Sequence, residues 1–110
     1  MRLVLASFAF AALCSFASAQ TPEASQAQDL SNCAGAVASA GGFDVVHFAG
    51  ADGDNGQALE AILARLSREP GLEGVTGRYA ASAAKAHWDE QAAAERDQEA
   101  ARCRTRYAGA

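Results

Sequence analysis

Cysteine, histidine and tryptophan are the residues here whose chemistry is most distinctive, and they are few. Cys33 and Cys103 lie far apart, with no Cys-x-x-Cys pair to depress a thiol pKa and no paired spacing of a zinc site. Paired with each other as a disulfide, they close a loop of 71 residues. In the chain-entropy model such a loop stabilises by about 4 kcal/mol. His47 has Asp44 nearby, and His87 stands with Asp89 and Glu90, but neither group has a recognisable metal-ligand pattern. No Gly-x-Ser-x-Gly elbow, phosphate loop or haem attachment motif is present. The sequence therefore nominates no catalytic residue, no metal ligand and no cofactor.

Two further features invite a ligand and do not hold one on inspection. The turn Ala51–Gly56 looks briefly like a calcium loop, but Ala51 and Gly53 fall where acids are required and Ile62 where a Glu is. Asp54, with Gln57 three residues on, reads instead as a helix N-cap. Trp88 reads as an anchor for a thin core, lying over alanines one turn away. The remaining candidate is the densest apolar patch, Phe43 to Gly50. Phe43, Val46, His47 and Phe48 either plug the open end of a helical core or contact a partner, because large exposed apolar groups are unusual on a soluble monomer.

Helices must position these residues. Leu30, Cys33, Val37 and Ala40 recur at three- and four-residue steps behind Asp29 or Ser31 as caps, and Gly41-Gly42 ends that helix. Leu59, Ile62, Leu63 and Leu66 form the strongest apolar stripe, stopped by Pro70-Gly71. From Arg78 to Tyr107 there is neither Pro nor Gly, and Ala, Glu, Gln and Arg dominate, which predicts one long helix. A seven-residue spacing joins Tyr79, Ala86, Ala93, Ala100 and Tyr107, and Ala83, Ala86 and Ala93 would let the Leu59–Leu66 helix lie close against it. The acids Asp89, Glu90, Glu95, Asp97 and Glu99 read as a solvated face.

The N-terminus carries an address. Met1-Arg2, the apolar run Leu3 to Phe16 and Ala17-Ser18-Ala19 have the plan of a cleaved secretory signal peptide, residues 1–19. Leu13 before Cys14 argues against lipid attachment there. Residues 20–28 read as a mobile N-terminal tail and 29–110 as the helical domain. Removing the signal changes the formal charge from −4 to −5 and leaves 23 alanines but only 15 larger apolar residues. A surface of that sign is poor for nucleic acid or anionic membrane, and so small a core needs the disulfide's help.

The expected molecule is all-α: a small three-helix up-down bundle with a long C-terminal helix, clipped by Cys33–Cys103. In plan alone it is similar to periplasmic acid-stress chaperones, with no shared motif. The expected role is that of an exported, periplasmic or extracellular, non-enzymatic interaction or envelope-stress protein. It would be a monomer with a protein or small-molecule partner and no stable membrane anchor after cleavage. The alternative is a small-ligand or metal-binding module using the Phe43–Phe48 patch.

Overall fold

The computed structural model describes residues 22–108, and the expected signal peptide lies outside them. All regular structure in that range is helical: α1 (Pro22–Gly41), α2 (Asp54–Leu66), α3 (Val75–Asp89) and α4 (Ala93–Cys103), followed by a π-helical turn, Arg104–Ala108. Among the described residues, no helix is long and apolar enough to cross a membrane. The all-α class and the Cys33–Cys103 disulfide are as the sequence predicts.

The centre of the fold is α1. Leu30, Cys33, Ala34, Ala36, Val37, Ala38 and Ser39 are all buried, so the middle of this helix is covered on every side. Its small residues make that possible, since bulky side chains all round would hold neighbours away. Helical geometry sorts its faces. Gly35 and Ser39, one turn apart, meet α3; Asp29 and Cys33, one turn apart, meet α4 and the turn beyond. Leu30, Ala34 and Val37 join one apolar cluster with Ala58, Leu59, Ile62 and Leu66 of α2.

Four expectations are corrected. The helix starts at Pro22, so residues 22–28, expected within a mobile tail, are its first two turns; Pro is favoured at a first helical position, and Ala and Gln propagate the helix from there. Neither Asp29 nor Ser31 caps it. Gly53, not Asp54, precedes α2 as its cap, with φ 91° and no side-chain bond, and Asp54 is the acid of the first turn. The Leu59–Leu66 stripe packs on α1 and the final turn, with little contact to α3.

The long C-terminal run is two helices. It breaks at Glu90–Ala92, where the Glu90 and Gln91 amides bond back to His87 and Trp88 carbonyls. Propensity would allow continuity, but a straight helix of that length spans roughly 45 Å against roughly 30 Å for α1. The break lets α3 serve one face of α1 and α4 another. In consequence Tyr79, Ala86 and Ala93 of the seven-residue series are exposed, while Ala100 and Tyr107 are buried.

Candidate functional site

Among the described residues, three constellations are candidates for function. The first surrounds the disulfide, whose cysteine Cα atoms are 5.4 Å apart. Asn32, between the two polar faces of α1, donates to Glu99 at 2.7 Å and accepts from the Trp88 indole at 2.9 Å, so one amide ties α1 to both α3 and α4. The Tyr107 hydroxyl donates to Asp29 at 2.5 Å, Arg102 bridges Asp29 and Glu99, and Arg106 lies 3.4 Å from Asp29. A separate bond from Ser39 reaches Asp89 at 2.6 Å, with Lys85 on the same carboxylate. Thus Asp89 and Glu99, expected on a solvated face, are the acids that hold α3 and α4 to α1.

These contacts set the ionisation. Burial pushes the Asp29 carboxyl up, but hydrogen bonds from Tyr107 and Arg102 and the charges of Arg102 and Arg106 outweigh it, leaving it below its ordinary value. The Ser39 and Lys85 bonds lower Asp89, and the Arg102 bond lowers Glu99. Burial, helped by the Asp29 bond, raises the Tyr107 phenol.

The second constellation is the expected patch. It folds as a loop after α1, entered through a left-handed Gly42 (φ 74°) and a Phe43 amide bonded to the Ala38 carbonyl, the Schellman pattern of helix ends. Phe48 and Val45 are buried, Phe43 packs edge-on to Phe48 with ring centroids 5.2 Å apart, and Val46 is half-buried. His47 points outward, 82% exposed, and pairs with Asp44 at 2.8 Å. That bond lowers the Asp44 carboxyl. His47 and the aromatic rings therefore do not converge on a common site, and Trp88 is tied to Asn32 instead. The loop is fastened by a residue that no motif or spacing singles out: Arg78 of α3 donates from Nη1 to the carbonyls of Val45 at 3.0 Å, Val46 at 3.4 Å and Phe48 at 2.7 Å.

The third is a half-open cleft of about 400 Å³ between this loop, α2 and the start of α3. Phe48, Leu63, Leu66 and Leu72 line it, with Glu60 and Arg78 as its charged members. Gly77 leaves no room for a side chain here; a Cβ at that position would run into the Leu72 carbonyl oxygen and lie 3.3 Å from Leu66 Cγ.

One group of metal-ligating atoms is clustered among the described residues: Glu99 with the sulfurs of Cys33 and Cys103. The sulfurs are bonded to each other, so they are not available as thiolate ligands. His87 lies edge-on to Trp88 and shares no ligand geometry with Asp89, which is turned to Ser39 and Lys85. No protein-family model, curated protein or solved structure matches the chain.

Proposed function

We propose that this is a small exported protein that works by contact with other proteins rather than by catalysis, and that acid opens its contact surface. The observation that carries this reading is the placement of Asp29, Asp89 and Glu99. Each accepts a bond that joins α1 to the C-terminal half, and each has a lowered pKa: Asp29, despite its burial, through Tyr107 and Arg102, Asp89 through Ser39 and Lys85, and Glu99 chiefly through Arg102 of its own helix, with Asn32 adding to it. A lowered carboxylate contributes stability above its unfolded value, here 3.8 to 4.5, and the contribution is lost as pH falls through the folded value. The groups facing these acids are Arg102, Arg106, Lys85, Arg96 and Tyr107, and the cations among them keep their charge in acid. Protonation therefore turns attraction into repulsion among cations.

The rest of the chain pushes the same way. With the signal removed, its charge moves from −5 toward about +10 near pH 3, which loosens helices held by few large side chains. The disulfide does not titrate and keeps α1 and α4 joined. The Leu59–Leu66 stripe and Phe43–Phe48 then become available to unfolding proteins. Export is supported by the signal-like N-terminus and by the disulfide, which persists in oxidising compartments. Mass spectrometry of the exported protein is expected to find Gln20 at its N-terminus.

The test is light scattering from an aggregation-prone exported enzyme taken to about pH 3 and returned to neutral. Less aggregation is expected with the protein present. Equal scattering with and without it ends the acid-contact reading.

A further inference from the structure

The cleft beside Phe48 falls outside the acid-sensitive network and within the size range of small-molecule sites. Its apolar lining is an edge each of Phe48 and Leu63, packed in front of the fully buried Leu66, with the half-buried Leu72 closing one side. Two opposite charges line it. Arg78 commits Nη1 to the three loop carbonyls, and among the described residues no carboxylate lies within ion-pair distance of its guanidinium. Its Nε and Nη2 make no bond to the described residues either. A guanidinium held by carbonyls on one edge keeps a planar two-donor edge, the geometry that binds a carboxylate in parallel. Glu60 is likewise unpaired among the described residues, and its Oε2 lies 3.8 Å from where a Cβ on Gly50 would stand. Ser67, the remaining side-chain hydroxyl of the lining, already donates to the Ala64 carbonyl at 2.8 Å.

We infer that this cleft binds a small zwitterion with an apolar body, the chemistry of a free apolar amino acid. The carboxylate lies on the open edge of Arg78, the ammonium faces Glu60, and the apolar side chain rests on Phe48, Leu63 and Leu72. A simple carboxylate would leave Glu60 unmatched and repelled, and a simple cation would do the same to Arg78. The two charges together select a ligand bearing both. This site functions at neutral pH with the fold closed, so it stands or falls separately from the acid-contact reading.

The experiment is an amide-shift titration of the disulfide-intact protein at neutral pH with L-leucine, N-acetylleucine and leucinamide. Leucine is expected to move the Gly50, Gly74 and Gly77 amides, with half-saturation at about 1 mM or below. Removing either charge of the ligand should weaken binding at least about tenfold. Glu60→Gln should weaken leucine by a similar factor and leave N-acetylleucine unchanged or tighter. Ala64→Trp should abolish binding by filling the cleft. Both positions are exposed, and an unchanged helical circular-dichroism spectrum confirms that each variant folds. The inference is overturned if leucine leaves the lining glycines unmoved, or if N-acetylleucine or leucinamide binds as well as leucine does.

Discussion

At the scale of single residues, what a side chain lacks matters as much as what it carries. Gly35 sits where α1 crosses α3, and a Cβ there would lie 2.5 Å from both the Ala84 Cβ and the Lys85 backbone nitrogen. Gly35→Ala should therefore cost about 2–4 kcal/mol by overpacking, read as a lower urea midpoint, and Ala84→Gly should restore only part of it because the backbone clash remains. An unchanged midpoint would mean the helices separate freely at this crossing. Arg78 is the opposite case, a side chain whose work is to satisfy three carbonyls. Arg78→Leu should cost about 1–3 kcal/mol and speed amide exchange around Phe43–Gly50, and Arg78→Lys should restore little, since a point charge cannot replace the planar fork. Much of this scale was hidden in the sequence. Cys33 and Cys103 announced themselves because an even pair behind a signal-like N-terminus has few other uses. Gly35, Asn32 and Arg78 did not, because their roles depend on partners 30 to 67 positions away. The one local signal was the run Ala34-Gly35-Ala36, whose lack of bulk marks a close crossing.

Among elements, the apolar stripe of α2 and the glycine stop of α1 were legible because periodicity and turn chemistry act locally. The division of the last thirty residues was not. Local propensity there favours one helix, and the break lets Asp89 reach Ser39 on one face of α1 while Arg102 and Cys103 reach Asp29 and Cys33 on the adjoining one. The centre of the fold is hidden for the same reason: composition draws attention to the longest helix-forming run, whereas burial picks out α1. This arrangement makes the acids of α3 and α4 structural, which gives a test at this scale. With Asp29→Asn, Asp89→Asn and Glu99→Gln combined, stability at neutral pH should fall. It should also depend less on pH between about 5 and 3 than the parent's does, since three of the lowered carboxylates that would have been protonated are gone. Tyr107→Phe should act on one of them alone, losing about 0.5–1.5 kcal/mol and raising the pH at which Asp29 is protonated. Urea titrations at stepped pH separate these outcomes. A triple variant whose stability still falls steeply toward pH 3 would place the acid sensitivity elsewhere in the chain.

For the molecule as a whole, the question is what remains joined when those interactions release. The disulfide connects the middle of α1 to the end of α4 and encloses α2 and α3 within its loop. It restricts the open state as well as the folded one. Replacing Cys33 and Cys103 together by Ala should lower neutral stability by about 2–5 kcal/mol. In acid the consequence is different in kind. The bridged chain should expand only part of the way, keep its helices and bind a hydrophobic dye, because separation of α1 from α4 is forbidden while the side-chain bonds between them are lost. The double variant has no such limit, and near pH 3 its like charges should drive it to the dimensions of an unfolded chain with weak dye binding. Small-angle scattering and dye fluorescence on both proteins, oxidised and at equal concentration, read this directly. The same radius and the same dye signal for the two in acid would show that the bridge stabilises the neutral fold and nothing more. A compact, dye-binding state confined to the bridged chain would show that the disulfide holds the opened helices together as one adhesive surface.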